Sequence, residues 1–116
     1  MAVETSGFVI RSKIWIEDGQ GKAVFGPGRY RIFEAVGRLQ SLQAAAKELK
    51  MSYRAVWCRI KSSEERLGKP LVIREGRGSQ LTPFARELMT AFEEVQAKVR
   101  EESDAVFERL MSHSLE

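Results

Sequence analysis

The stretch Ser41-Leu42-Gln43-Ala44-Ala45-Ala46-Lys47-Glu48-Leu49-Lys50-Met51-Ser52-Tyr53-Arg54-Ala55-Val56-Trp57-Cys58-Arg59-Ile60-Lys61 decides the fold. Ser41 stands where a helix N-cap belongs, and Leu42, Ala45, Ala46 and Leu49 follow on one stripe of a short helix. Lys50-Met51 leaves room only for a tight turn. Ser52 is the next N-cap, and Tyr53, Val56, Trp57, Ile60 and Leu67 gather on one side of the wheel of a second helix that ends at Gly68. Arg54, Cys58, Lys61, Ser62 and Glu65 occupy its other side. On this spacing Trp57 is expected in the core, because it shares a face with Val56 and Ile60. Two helices joined tightly, the second amphipathic with a basic start, make a helix-turn-helix.

Working outward, Gly26-Pro27-Gly28 starts an earlier helix. Pro27 suits the first helical turn, and Ile32, Phe33, Val36 and Leu39 recur at helical spacing to about Leu39. The Gly-Pro-Gly turn lacks the spacing and the following Lys-Ser/Thr of a phosphate loop. Before it, Phe8, Ile10, Ser12, Ile14 and Ile16 alternate with Val9, Arg11, Lys13 and Trp15, which predicts a half-buried strand over Phe8 to Ile16. Asp18-Gly19 turns it into a hairpin with Ala23-Val24-Phe25. Trp15 lies on the polar side of the alternation, where packing under the last helix and a dimer contact both remain open.

Downstream, Leu71-Val72-Ile73-Arg74, the flexible Gly76-Arg77-Gly78-Ser79 and Gln80-Leu81 read as a β-hairpin with a glycine-rich basic tip. Thr82-Pro83 then opens a stretch without Gly or Pro to about Ser112, enough for one helix roughly 45 Å long. The expectation is an α+β, mostly helical chain: a winged helix-turn-helix with its N-terminal hairpin over 1–81, and a long helix over 82–114. Residues 115–116, Leu-Glu, read as a cloning scar and carry no functional weight.

The chain has 116 residues, about one domain. Its net charge of +3 hides a split: 15 basic and 8 acidic residues up to Gln80, against 4 basic and 8 acidic from Leu81 onward. A basic body with an acidic tail points to a polyanionic partner. One cysteine, Cys58, and one histidine, His113, exclude a disulfide framework and a structural zinc site. No spanning segment or signal peptide is legible, so a cytoplasmic, reducing location is expected and no membrane partner. No nucleophile and base converge, so no enzyme, metal or cofactor is expected.

A helix enters the major groove of DNA when its leading residues are small, polar or cationic and its other face is anchored in a core. Ser52, Tyr53 and Arg54, followed by Lys61, meet that requirement, although the same residues equally suit a plain N-cap and helix start. Arg59 and Lys61 divide evenly between phosphate contact and a solvated face. Arg74, Arg77 and Ser79 place charge and polarity on the wing, and Ser41 marks the amide-rich start of the first helix of the motif. The long helix is expected to pair with a second copy through Leu88, Phe92, Val95, Val99 and Val106. Cys58 suits a small groove-tolerant residue better than a redox switch.

The residues also carry a resemblance. Lys13 to Gly19, Phe25-Gly26-Pro27-Gly28-Arg29, Ala44-Ala45-Ala46-Lys47 and Met51-Ser52-Tyr53-Arg54-Ala55-Val56-Trp57 resemble the N-terminal DNA-binding domain of ModE-type molybdate-responsive transcription regulators. Leu67 to Val72 and Leu81-Thr82-Pro83 extend it and are shared with LysR-type winged-helix domains. The resemblance, over roughly Lys13 to Phe92, implies a homodimeric transcription regulator that binds double-stranded operator DNA, with a link to molybdate or molybdenum-enzyme genes. Full-length ModE regulators continue into molybdate-binding domains that this chain does not reach, so no small-molecule effector is expected on it. Their wing is also often longer than Gly76 to Ser79. The alternative is a winged-helix protein-interaction adaptor without sequence-specific DNA binding, which would keep its function when Arg54 and Lys61 are neutralised.

Overall fold

Helix ends in this chain are set by local backbone chemistry, and the elements follow from it. The computed structural model describes residues 7–115. In order they form β1 (Ile16–Glu17), β2 (Ala23–Phe25), α1 (Pro27–Leu39), α2 (Leu42–Leu49), α3 (Tyr53–Leu67), β3 (Val72–Glu75), β4 (Gly78–Leu81) and α4 (Pro83–Met111). Pro27 stands at the start of α1 as its missing N–H allows. Ser41 and Ser52 each accept a backbone N–H three residues on, from Ala44 and Ala55, both at 3.0 Å. Gln40 and Lys50 end α1 and α2 in the left-handed region at φ 58° and 57°, and Gly68 ends α3 at φ 70°. Met51 then donates to the Ala46 carbonyl at 2.9 Å, which closes the tight turn between α2 and α3.

Two compact units result. One comprises Ile14–Thr90; the other takes in 7–13 and 91–115 of the described residues. The core of the first is built from Val24 and Phe25 of β2, Ile32, Phe33, Ala35 and Val36 of α1, Ala45 and Ala46 of α2, Val56 and Ile60 of α3, and Leu71 and Leu81. Phe25 and Phe33 pack with ring centres 5.8 Å apart. The small Ala45 and Ala46 let α2 approach its neighbours closely. Arg38 of α1 binds both Glu34 and Glu48, which ties α1 to α2 at the surface.

Three expectations need correction. Only Ile16 and Glu17 pair with β2, not the whole of Phe8 to Ile16, and Phe8 is 58% exposed. Alternation alone does not make a strand: β2 offers three residues before Gly26-Pro27 ends it, so earlier residues have no ladder there. Trp57 is not in the core; it is 44% exposed. The buried stripe of α3 is Val56, Ile60 and Ser63, and a residue one position along a helix is turned by about 100°, which carries Trp57 off that stripe. The wing is a tighter hairpin than expected. Glu75 pairs with Gly78, so the loop is only Gly76 and Arg77, with Gly76 at φ 62° where a type II′ turn requires glycine.

The wing is held from two sides. Glu64 of α3 accepts N–H bonds from Leu71 at 2.8 Å and Val72 at 3.1 Å. On the other strand, Ser79 donates its N–H to the Gln40 carbonyl at 3.0 Å, and a side chain at Gly78 would put its Cβ 2.6 Å from that same oxygen. Thr82 joins hairpin to α4: its hydroxyl donates to the Pro70 carbonyl at 2.9 Å and accepts from Ala85 at 3.1 Å. Glu64→Ala should therefore lower unfolding free energy in urea by about 2–4 kcal/mol, since two backbone donors beside buried Leu71 lose a charged acceptor. A loss below about 0.5 kcal/mol would mean that solvent replaces the carboxylate there.

Candidate nucleic-acid interface

The first turns of α2 and α3 carry no acidic residue. Their free amides and helix dipoles therefore present uncompensated positive ends. In each cap the serine oxygen accepts from the backbone, leaving the hydroxyl hydrogen free to donate outward. Arg54, in the first turn of α3, is exposed and makes no ion pair among the described residues. Arg59 is exposed and likewise unpaired. Lys61 is shared: its ammonium lies 3.2 Å from a Glu64 oxygen and 5.8 Å from the centre of the Trp57 ring. Tyr53 stands out from the helix start at 52% exposure. On the wing, Arg74 and Arg77 are exposed, the latter in the turn itself, and the Ser79 side chain is half-buried.

The structure thus brings Ser52, Tyr53, Arg54 and Lys61 onto one helix, with Ser41 at the start of the helix before it and Arg74, Arg77 and Ser79 on the hairpin behind it. Arg59 lies on the flank that faces α1. There a recess of about 470 Å³ is lined by Gly28, Arg31, Lys50, Met51 and Arg59, among others. Glu48 also lines it, but its carboxylate is engaged by Arg38, which holds the Glu48 pKa below the ordinary carboxylate value. Nearby, Arg29 donates to the Ser62 hydroxyl at 2.9 Å, and its Nε is buried without a hydrogen-bond partner among the described residues. Burial lowers the Arg29 pKa, helped by the like charges of Arg59 and Arg66. Sequence reasoning did not collect Arg29, Arg31 and Lys50, because they come from α1 and from the turn after α2, which only the fold brings to Arg59 on α3.

Other singled-out residues have plain positions. Trp15 is exposed, with its indole N–H donating to Glu17 at 2.7 Å. Cys58 and His113 are exposed. On α4, Leu88 and Val99 are half-buried, Val95 is 54% exposed, Val106 is exposed, and Phe92 is buried within the single chain at 4%. Among the described residues no group of His, Cys, Asp and Glu could hold a metal, and no helix is long and apolar enough to cross a membrane.

Comparison with known proteins bears on this geometry. The profile of bacterial regulatory helix-turn-helix proteins of the lysR family matches residues 28–86, from the start of α1 into α4. The molybdenum transport protein ModE of Azotobacter vinelandii is 32% identical over 87 residues, covering 71% of this chain and 32% of that protein. An uncharacterized HTH-type transcriptional regulator of Mycobacterium tuberculosis is 39% identical over 75 residues, covering 59% of this chain and 24% of the other. The chain therefore spans about a third or less of the length of these curated relatives. Among solved structures, the BenM DNA-binding domain in complex with benA site 1 DNA aligns with a TM-score of 0.55 at 25% identity, covering 72% of this chain and 95% of that one.

The cap at the head of α3 can be tested apart from any ligand. Ser52→Ala should lower stability by about 1 kcal/mol in urea unfolding, the usual worth of an N-cap, and Ser52→Asp should restore most of it. An unchanged stability in Ser52→Ala would show that the hydroxyl does not cap the helix.

Proposed function

Because this chain belongs to the lysR family of bacterial regulatory helix-turn-helix proteins, we propose that it is a transcription regulator that binds double-stranded DNA through α3 and the β3–β4 wing. The observation that carries this reading is the outer face of α3: Ser52, Tyr53 and Arg54 project from a helix anchored by Val56 and Ile60, and Arg54 has no ion-pair partner among the described residues. An unpaired guanidinium at the head of such a helix suits bidentate readout of guanine in the major groove. Ser41, Arg59, Arg74, Arg77 and Ser79 then serve the backbone phosphates, which fix register without reading sequence. Chemistry at a reacting centre plays no part in this role.

The proposed active form is a homodimer paired through α4. Val95 and Val106 are exposed on that helix, as are Leu110 and Met111. Leu88 and Val99 would complete the seam, while Phe92, already buried, has little surface left for a partner. The acidic residues of 81–116 would then lie on a part of the protein kept from phosphate. Regulation of molybdenum-related genes is proposed from the likeness to ModE, and genomic fragments retained by the chain should include such promoters.

Anisotropy titration of selected duplexes tests the reading. Arg54→Ala should weaken specific binding by about 1–3 kcal/mol and relax base preference at one position. Arg74→Ala or Arg77→Ala should weaken binding to all sequences alike and reduce the salt slope by about 1. Equal affinity for selected and random duplex at physiological salt would defeat the proposal and favour an adaptor. In sedimentation, Val95→Glu with Val106→Glu should convert a dimer to a monomer; an unchanged profile would place the interface elsewhere.

A further inference from the structure

The face of α3 that carries Arg54 and Lys61 also carries an aromatic pair that phosphate contact and guanine readout leave unused. Tyr53 and Trp57 are four residues apart, at 52% and 44% exposure. Trp57 follows Arg54 by three residues and precedes Lys61 by four, so the three side chains form one stripe along the helix. The core does not need this indole. Val56, Ile60 and Ser63 bury the inner side of α3, and the Ser63 hydroxyl closes that side by donating to the Val24 carbonyl at 2.6 Å. Lys61 extends over the ring, which braces it rather than covering it.

A large apolar side chain 44% exposed, one helical turn from the exposed guanidinium of Arg54, calls for a partner that is anionic overall yet apolar at one point. In the major groove the apolar feature presented by the base pairs is the C5-methyl group of thymine. A hydrophobic protein surface would satisfy the indole but not Arg54 beside it, which has no ion-pair partner among the described residues. We infer that Trp57 is a specificity-determining residue that reads thymine by packing against its methyl group, on the same strip of groove that Arg54 enters. This inference rests on the proposed DNA-binding function and adds to it a base preference of stated chemistry.

The experiment uses the full chain. Binding sites are selected from a random duplex pool, and each thymine of the selected site is replaced in turn by deoxyuridine, which removes only the methyl group. At one or two positions the wild-type chain should lose about fourfold in affinity, the worth of one buried methyl group. Trp57→Ala and Trp57→Gln should bind the thymine site more weakly and show no further loss with deoxyuridine, while Trp57→Phe should keep part of the methyl sensitivity. Unfolding midpoints close to wild type would confirm that packing is intact. Wild-type indifference to every deoxyuridine overturns the inference, as does full methyl sensitivity in Trp57→Ala or Trp57→Gln. Failure of the wild-type chain to select any sequence overturns the DNA-binding reading together with it, whereas a selected site insensitive to methyl removal overturns the inference alone.

Discussion

The double hydrogen bond from the Leu71 and Val72 amides to the Glu64 carboxylate is the constraint on which the functional surface depends. Glu64 sits on α3, and the amides belong to the start of the wing. A carboxylate that accepts two backbone donors, one of them on a fully buried residue, makes helix and hairpin one piece. One and two helical turns earlier, α3 is held by Ile60 and Val56 in the core; beside Glu64, Ser63 donates to the Val24 carbonyl. The inner side of α3 is therefore fully committed, and its outer side is left free.

The same economy governs the wing. A two-residue turn gives it little freedom of its own, and the Gln40 carbonyl receives its Ser79 amide from the other side. That contact requires Gln40 to end α1 in a left-handed conformation and requires a glycine at position 78. A backbone carbonyl at the end of α1 thus sets where the basic tip is presented. Short connections with explicit hydrogen bonds account for this geometry better than bulk, since the hairpin strands are only four residues long.

Charge is distributed to match. The acidic side chains of the first unit that the structure pairs, Glu34, Glu48 and Glu64, serve α1–α2 bridging or the wing. Arg54, Arg59, Arg74 and Arg77 are left without ion-pair partners among the described residues. Carboxylates are engaged in holding α1, α2 and the wing while these four arginines stay exposed, so much of the basic excess of the first 80 residues becomes a surface property.

Sequence by itself determined the helix-turn-helix, because caps, left-handed stops and apolar spacing act over a few residues: Ser41, Ser52, Gly68, Thr82 and Pro83 all mark helix ends where they were read. It also located the wing and the candidates at the head of α3. Tertiary structure alone decided how far the first strand extends, since pairing depends on how much partner strand β2 can offer. It decided the fate of Trp57 as well. Periodicity places a residue on a broad face, but only the direction from which Val24, Leu71 and their neighbours close on α3 determines which edge of that face is covered. The gathering of Arg29, Arg31, Lys50 and Arg59 was equally illegible, because residues from separate elements meet only when packing brings them together.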